Sequence, residues 1–245
     1  MKAQPALELA GGADRPDPAQ GVFSTMLVRD GAAVDVGAHL ARLERSVGEL
    51  YGRGLPANLE EQIAAAAAVG GIQRLRVSLA PRGASIALIE VETTPLAGEP
   101  EPTPALLAPA ILSGGLGCHK WRDRRLVAQL ERTLGAEPLI VDVDGEVLEA
   151  ATANVWIVEG TTLTTPPLDG RLLPGTVRQR ALAAAPAVRL APREEPIALD
   201  RLTAADEILL SSAIRSIRPA ALVGEGSPRF ELGARLREAL LVSAP

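Results

Sequence analysis

A run rich in proline, threonine and glutamate interrupts the middle of this chain, and it constrains the possible folds more than any other feature. The run occupies residues 93–109 and reads TTPLAGEPEPTPALLAP. Proline lacks the backbone N–H that helices and central strands need, so such a run favours a connection over a packed element. We therefore predict a linker at 93–109 between an N-terminal α/β domain at 1–92 and a C-terminal domain at 110–245.

Hydrophobic periodicity predicts helices and strands in an order without regular alternation. In the first half, the predicted elements are a helix with apolar positions Leu40, Leu43, Val47 and Leu50, a helix at 59–69, and strands at 74–79 and 85–91. In the second half, they are an arginine-rich helix ending near Leu134, a hairpin with a type I′ turn at Asp144-Gly145, a helix opening at Pro174-Gly175-Thr176, and a strand at 207–212. This order favours α+β layers over a doubly wound parallel sheet.

Charge and residue usage argue against several classes of function. The net charge is −5, which does not suit a general nucleic-acid or anionic-membrane partner. No apolar run reaches the roughly 18 residues of a membrane span, and the N-terminus lacks a secretory pattern. The single cysteine, Cys118, rules out an intrachain disulfide, and His39 and His119 alone give little basis for a zinc site or a histidine triad. We predict a cytoplasmic protein without metal, nucleic-acid or membrane partners.

Lysine is almost absent from the chain, which makes its one interior lysine informative. Of 25 cationic side chains, only Lys2 and Lys120 are lysines, and the others are arginines. Arginine stays protonated, whereas a lysine amine can lose its proton, attack a carbonyl and carry protons. A leftover surface lysine is the competing interpretation. Lys120 is our candidate catalytic residue.

An amine that captures carbonyls is usually paired with pyridoxal 5′-phosphate (PLP), which needs an anion site, an acid partner for its ring nitrogen, and groups that orient the substrate. Gly175-Thr176-Val177 at a predicted helix start could bind the phosphate, although a plain helix entry after proline is the alternative. Arg42 and the strand-end pair Ser211-Ser212 could donate further hydrogen bonds to the phosphate. Alternatively, Arg42 could form a solvated salt bridge, and the serines a turn or a helix cap. Glu149 could pair with the nitrogen, or could be an exposed strand-end acid.

Five stretches of the chain, taken in order, resemble one family. They resemble the class IV aminotransferase family, also called fold-type IV PLP enzymes, which contains branched-chain aminotransferases, D-amino-acid aminotransferases and 4-amino-4-deoxychorismate lyases. The matching stretches are His39-Leu40-Ala41-Arg42-Leu43, Lys120 with Arg124, Glu149 through Asn154, Leu173-Pro174-Gly175-Thr176-Val177-Arg178, and Asp206-Glu207 through Pro219. The resemblance implies a two-domain α+β fold of the D-amino-acid aminotransferase type, with PLP bound by the C-terminal domain in the interdomain cleft.

The resemblance also implies roles for individual residues. Lys120 would hold PLP as a Schiff base and move the substrate α-proton, and Glu149 would pair with the ring nitrogen. The remaining cofactor-binding positions would be Arg42, Asn154, Thr176, Val177, Ser212 and Ala213. Weaker candidates for contact with a small-molecule amino substrate are Ser24, Thr25 and Arg82. Arg82 or Arg76 could contact the substrate carboxylate, and no motif chooses between them. Family members are usually homodimers, so a homodimer is expected.

Departures from the family pattern favour a lyase. The family commonly has a Tyr-Gly-Asp-Gly-like stretch before Phe-Glu, whereas this chain reads Ala19-Gln20-Gly21-Val22-Phe23-Ser24-Thr25. Aminotransferases of the family tend to keep that glutamate, while the lyases tend to have a hydroxyl residue, as Ser24 is. The shortness of the chain and the absence of a tyrosine soon after Lys120 favour the lyase as well. We predict a 4-amino-4-deoxychorismate lyase, which releases pyruvate and leaves 4-aminobenzoate for folate synthesis.

Three alternatives stay open. The first is a class IV aminotransferase acting on branched-chain or D-amino acids, since the lysine, the acid partner and the phosphate positions serve both reactions. The second is a catalytically inactive relative, because the segment Ala19–Thr25 is altered. Thr176-Val177 also stands where many members have Ile-Thr, and Ala213 where aminotransferases often have threonine. The third is an α+β binding module without PLP, in which Lys120 is incidental.

Overall fold

The chain divides into two compact units. The structure, a computed structural model, describes residues 7–8 and 15–242. The N-terminal unit consists of residues 15–100 and 119–125, and the C-terminal unit of 101–118 and 126–242 together with strand β1 (Leu7–Glu8). The sequence-based boundary assigned residues 119–125 to the C-terminal domain, whereas the structure groups them with the N-terminal unit. No helix in the described part of the chain is both long and apolar enough to cross a membrane.

The N-terminal unit is an antiparallel sheet with two helices on one face. After a 3₁₀ turn at Pro18–Gln20, its elements are β2 (Val22–Arg29), β3 (Ala32–Ala33), α1 (Val36–Tyr51), α2 (Leu59–Ala67), β4 (Gln73–Arg82) and β5 (Ser85–Pro95). The strand order is β3-β2-β4-β5. Alternate residues of β2 and β4 pack against both helices, in a core that includes Val22, Met26, Leu43, Ile63 and Val77. The predicted helices and strands of this half are present, with α2 two residues shorter than expected.

The predicted linker is shorter in the structure than in the sequence analysis. β5 continues to Pro95, and the next strand, β6 (Ala105–Ile111), begins at Ala105, so the connection is 96–104 rather than 93–109. Thr93 and Thr94 pair with β4 in the described sheet. Pro95 ends a strand at the edge of that sheet, where a missing N–H removes no ladder hydrogen bond.

The C-terminal unit is built on a ten-stranded sheet. Its further elements are α3 (Arg125–Leu134), β7 (Glu137–Val141), β8 (Glu146–Ala150), β9 (Ala153–Glu159), β10 (Thr162–Thr165), α4 (Thr176–Ala184), a 3₁₀ turn at Ala185–Val188, β11 (Ala191–Glu194), β12 (Ile197–Ala198), α5 (Leu199–Ala204), β13 (Glu207–Ser212), β14 (Ser216–Leu222) and α6 (Leu232–Val242). The strand order is β11-β10-β9-β13-β14-β6-β7-β8-β12, with β1 on β6. A further pairing of β8 with β9 closes six of these strands into a barrel around apolar side chains that include Leu107, Leu139, Val155 and Leu210.

The hairpin between β7 and β8 is present, but its turn differs from the prediction. A type I′ turn needs positive φ at both central residues. Gly145 has φ +86°, whereas Asp144 is not among the described residues with positive φ. The backbone bonds Gly145 N–H to Asp142 O (3.0 Å) and Asp142 N–H to Glu146 O (2.8 Å) instead make a longer loop in which only the glycine needs the left-handed region.

A buried carboxylate starts helix α6. Glu207 on β13 is 5% exposed and accepts the N–H groups of Glu231 (2.8 Å), Leu232 (2.9 Å) and Gly233 (2.9 Å). These are among the N–H groups that a helix cannot satisfy within itself. Its neighbour Asp206 accepts the N–H of Gly160 (2.8 Å). The Asp-Glu pair singled out in the sequence therefore fixes backbone in two places.

We expect Glu207→Ala to lower the free energy of unfolding by about 2–3 kcal/mol, because three backbone N–H groups lose a charged acceptor. Chemical denaturation followed by circular dichroism measures this change. Glu238→Ala is the matched control on the exposed side of α6, and should stay within about 0.5 kcal/mol of the wild type. Equal losses in the two variants would contradict this role for Glu207.

Candidate active site

The segment that carries Lys120 is held as a short extra strand of the N-terminal sheet. Phe23 N–H donates to Lys120 O (2.9 Å), and Arg122 N–H donates to Gly21 O (3.0 Å). Val22 and Trp121 form the bridge between these bonds, and both pack in the core of the unit. Since side chains alternate along a strand, Lys120 lies on the opposite face from Trp121, away from α1 and α2. On this face, Lys120 Nζ is 5.0 Å from the centre of the Phe23 ring.

Two features keep this pairing in place. Gly21 has φ +94°, and a Cβ there would collide with the carbonyl oxygen of Leu79, so β2 can start here only with glycine. Asp123 is 6% exposed and accepts the N–H of Asp17 (3.1 Å), the N–H of Arg125 (3.1 Å) and the Arg125 guanidinium (2.8 Å). The hydrogen bond from Arg125 holds the pKa of Asp123 well below its usual range. The backbone after Lys120 is therefore fixed by a permanent carboxylate.

Phe23 joins Lys120 to an arginine of β4. The Cζ atom of Arg76 lies 4.0 Å above the centre of the Phe23 ring, on the same face of the sheet as Lys120. Arg76 is opposite Thr25 in the β2–β4 register, and Thr25 is half-buried. Arg82 is exposed at the end of β4, where its carbonyl accepts from Ser85 Oγ (3.1 Å). Of the arginines considered from the sequence, the structure places Arg76 beside Phe23 and Arg82 at the hairpin turn.

Ser24 lies on the other face of β2 and joins two residues of α1. His39 and Arg42 are three residues apart on this helix, so both reach the same side chain. His39 Nδ1 is 2.8 Å from Ser24 Oγ, and an Arg42 guanidinium N–H donates to the same oxygen (3.1 Å). Burial, followed by the charges of Arg42 and Lys120, lowers the pKa of His39 to about 3. Burial lowers the pKa of Arg42 to about 10. At neutral pH His39 is therefore uncharged and Arg42 is a cation.

In the C-terminal unit, Glu149 and Asn154 hold the loop before α4. The two residues are paired across β8 and β9, and are 5% and 4% exposed. A Glu149 carboxylate oxygen accepts the N–H of Leu173 (3.3 Å), and the Asn154 amide donates to Leu173 O (2.8 Å). A Cβ on Gly175 would collide with the side-chain oxygen of Asn154. The glycine of this motif is thus required by the close approach of Asn154.

The start of α4 has the properties of an anion site. Gly175 is its N-cap, and glycine has no side chain with which to cap the helix. Thr176 and Val177 are buried in the first turn, where backbone N–H groups have no acceptor within the helix and the helix dipole favours negative charge. The guanidinium of Arg178, which is 3% exposed, donates to Pro166 O (2.8 Å) and forms an ion pair with Glu194 (2.6 Å), so it fixes this turn against β11.

The two serines that end β13 have different environments. Ser211 is buried, and its hydroxyl accepts from the indole N–H of Trp156 (3.0 Å). Ser212 is half-buried at the last position of β13, and its hydroxyl accepts the N–H of Arg215 (3.4 Å) in the turn that contains Ala213. Ser211 is therefore engaged in the core, and Ser212 is the serine at the strand end. Phe23 and Asp123 could not be predicted as site residues, because their partners are set by strand register and by a distant turn.

Comparison with known proteins relates these features to one family. The family model for class IV aminotransferases matches residues 119–223. The branched-chain-amino-acid aminotransferase of Escherichia coli is 32% identical over 83 residues, which are 34% of this chain. That match spans only about a quarter of the E. coli enzyme (27%).

Similar solved structures cover nearly the whole chain. A 4-amino-4-deoxychorismate lyase from Pseudomonas aeruginosa is 26% identical with a TM-score of 0.71, over 98% of this chain and 97% of that one. The PLP-bound form of a hypothetical aminotransferase from Mycobacterium tuberculosis is 22% identical with a TM-score of 0.77, over 98% and 94% of the two chains.

The match over residues 119–223 supports the recognition of the class IV aminotransferase family, and the similar solved structures confirm the α+β fold of fold-type IV enzymes. Class IV aminotransferases depend on PLP, and the similar solved structures include a PLP-bound form, so both findings support the prediction of a PLP-dependent enzyme. The placement of PLP in a cleft between domains stays a prediction.

We expect His39→Gln to make the protein less sensitive to acid. The pKa of His39 is near 3 in the folded chain, whereas an exposed histidine titrates near 6.5, so between these values only the unfolded chain takes up the proton. Stability therefore falls as pH falls through this window, with a slope of up to about 1.4 kcal/mol per pH unit for this group. Urea denaturation at pH 4, 5 and 6 measures the slope.

His119→Gln is the control for this measurement. The pKa of His119 is lowered by burial and raised by Glu49, so its own effect on the slope should be smaller. A wild-type slope that His39→Gln leaves unchanged would contradict the neutral state of His39.

Proposed function

We propose that the chain is a PLP-dependent enzyme in which the amine of Lys120 holds the cofactor covalently, and that it acts as a 4-amino-4-deoxychorismate lyase. The observation that carries the proposal is the backbone pairing of Lys120 with Phe23. This pairing presents the only lysine among residues 15–242 on the face of the sheet that α1 and α2 do not cover. Such a placement suits a reactive amine better than a solvated surface charge.

The side chains present fit the chemical parts of PLP. The aldehyde requires an amine, which Lys120 provides. The phosphate requires backbone N–H groups and a favourable dipole, which the first turn of α4, with Thr176 and Val177, would provide. The ring nitrogen requires a carboxylate in a fixed position, and Glu149 is buried with its orientation set by the N–H of Leu173.

Each residue would act in a defined way. When bound, PLP supplies an electron sink for the carbanion at the substrate α-carbon. The Lys120 amine would remove and return the α-proton, and Glu149 would keep a proton on the ring nitrogen. Arg42, Ser212 and the turn at Ala213 would complete the phosphate contacts, while Asn154 would hold the loop that begins α4. These roles are carried over from the resemblance, residue by residue.

The position of Ser24 supports the lyase. This chain has a hydroxyl group where aminotransferases of the family tend to have glutamate, and the match to the Pseudomonas lyase covers 97% of the lyase chain. The second candidate is an aminotransferase, which the 32% identity to the E. coli branched-chain enzyme favours. Both reactions begin with removal of the α-proton, so only the products can distinguish them.

The homodimer likewise stays a proposal, which light scattering of the purified chain would test.

Reduction with borohydride after saturation with PLP should leave a PLP adduct on Lys120, detectable by peptide mass spectrometry. Lys120→Ala and the charge-matched Lys120→Arg should give no adduct, because neither can form the bond. The rate of product formation should fall by about 10²–10⁴ in both variants, as expected for loss of an acid–base group. An adduct-free wild type would remove the basis of the proposal and favour an inactive relative.

The product assay separates the two reactions. Wild-type protein with PLP should release 4-aminobenzoate and pyruvate from aminodeoxychorismate, in parallel with tests of amino transfer from branched-chain and D-amino acids to a keto acid. Transfer without 4-aminobenzoate would replace the lyase with the aminotransferase.

Arg76 is the arginine that we expect to contact the substrate carboxylate, because Phe23 places it on the Lys120 face. Arg76→Gln should raise KM about ten- to hundredfold with a small change in kcat, as for loss of one charged hydrogen bond. Arg82→Gln, at the exposed hairpin turn, is the matched control and should change KM less than about twofold. The reverse ranking would move the carboxylate contact to Arg82.

A further inference from the structure

We infer that Arg171 is a positioning residue, which attaches the loop before α4 to strand β8 and so sets the spacing between two candidate cofactor groups. One group is Glu149, for the ring nitrogen, and the other is the first turn of α4, for the phosphate. The inference rests on the proposed function, because it concerns the binding of PLP. Arg171 lies outside the five stretches that carry the family resemblance, so it adds a residue to the candidate site.

The guanidinium of Arg171 joins this loop to the turn of the β7–β8 hairpin. Its three nitrogens donate to three different carboxylates: Nε to Asp169 (2.8 Å), Nη1 to Asp142 (3.0 Å) and Nη2 to Glu146 (2.6 Å). Asp142 is 7% exposed, and Glu146 is the first residue of β8. A planar guanidinium that binds partners on three sides has one orientation, whereas a single exposed ion pair can rearrange.

The backbone of Arg171 contacts a second segment. Its carbonyl oxygen accepts the N–H of Gly117 (3.1 Å), and a Cβ on Gly115 would collide with the same oxygen. The next residue, Leu172, is 1% exposed and packs with apolar side chains of β7, β8 and α3. The position of Arg171 is therefore tied to residues 115–117, which precede Lys120 in the chain, as well as to the hairpin.

The loop reaches the candidate cofactor groups immediately after Arg171. Leu173 N–H donates to the Glu149 carboxylate across 3.3 Å, and Gly175 is the N-cap of α4. Hydrogen bonds of this kind are usually about 2.7–3.2 Å long and weaken with distance, so a small shift of the loop would break this one.

The loop is thus attached to β8 at two points, by Arg171 to Glu146 and by Leu173 to Glu149. Two points fix both the place and the direction of the loop, whereas one point would leave it free to pivot. A ligand that contacts Glu149 and the start of α4 together gains affinity when their spacing is fixed before binding. Arg171 fixes that spacing.

Two variants test this role through the dissociation constant of PLP, measured by absorbance titration. Arg171→Gln should weaken PLP about tenfold and Glu146→Ala about threefold, as for loss of a charged contact or of part of it. The two substitutions change the net charge in opposite directions. A general electrostatic effect on the anionic cofactor would therefore weaken PLP in one variant and strengthen it in the other.

Arg201→Gln is the matched control. Arg201 also binds several carboxylates, with contacts to Glu159 (2.7 Å) and Glu195 (2.9 Å), and the exposed fractions of the Arg201 and Arg171 side chains are similar, at 32% and 25%. Its partners lie at the ends of β9 and β11 rather than in the loop before α4. Arg201→Gln should change the dissociation constant of PLP less than about twofold.

The pH dependence of the PLP Schiff base separates positioning from general stability. A proton on the ring nitrogen disfavours a second positive charge nearby and so lowers the pKa of the imine. If the loop no longer orients Glu149, this proton is held less firmly and the imine pKa rises. Arg171→Gln and Glu146→Ala should both raise it, in the same direction as Glu149→Gln. Arg201→Gln should leave it unchanged. Absorbance of the PLP-saturated proteins as a function of pH measures this pKa.

A measurement without cofactor tests the attachment itself. In the PLP-free protein, hydrogen exchange followed by mass spectrometry should be faster for Arg171→Gln in peptides that cover 114–118 and 171–176, and unchanged for Arg201→Gln. If Arg171→Gln does not fold, Glu146→Ala carries the test alone, since it removes one contact of the guanidinium and keeps the other two.

Outcomes against the inference differ from failure of the proposed function. The role of Arg171 is overturned by unchanged PLP affinity or unchanged hydrogen exchange in Arg171→Gln, or by an imine pKa that Arg171→Gln leaves in place. Equal weakening by Arg201→Gln, or tighter binding by Glu146→Ala, overturns it as well. The enzyme proposal stands in each case if the wild type forms the reduced adduct on Lys120. A wild type that binds no PLP and forms no adduct overturns both.

Discussion

The pairing of the Lys120 segment with the start of β2 is the interaction on which the rest of the candidate site depends. Two backbone hydrogen bonds turn residues 120–122 into a strand of the N-terminal sheet, and strand geometry then sends Trp121 into the core and Lys120 to the opposite face. A lysine on a loose loop would lose backbone freedom each time it reacted. Here that freedom is already lost on folding, so the amine starts from a defined position.

In both units, buried carboxylates accept hydrogen bonds from backbone N–H groups as well as from side chains. Asp123 accepts two backbone N–H groups beside its ion pair with Arg125, Glu207 accepts three at the start of α6, and Glu149 accepts that of Leu173. An unsatisfied buried N–H is costly, so each carboxylate specifies one path for the chain. The candidate cofactor residues are positioned by these contacts before any ligand arrives.

The sequence predicted those parts of the molecule whose signals are local. The apolar spacing from Leu40 to Leu50 predicted α1, and residues 207–212 predicted β13 to the residue. The ordered motifs indicated the family whose model matches residues 119–223. Other features depend on contacts between distant residues. The stacking of Arg76 on Phe23 follows from the β2–β4 register, and the turn after Asp142 follows from loop hydrogen bonds that a dipeptide preference does not capture. The proline-rich run was likewise predicted as a linker from residue 93, although β5 continues to Pro95 at the edge of the sheet.

The close approach of Asn154 to Gly175 has an evolutionary consequence. Any side chain at position 175 meets the amide oxygen of position 154, while the same amide donates to Leu173 O. The two residues are therefore coupled. A larger residue can replace Gly175 only after Asn154 has been replaced by a smaller one, and that first replacement removes the hydrogen bond to Leu173 O. The order of mutations at these two positions is therefore constrained in this chain, because the intermediate sequence lacks the hydrogen bond to Leu173 O.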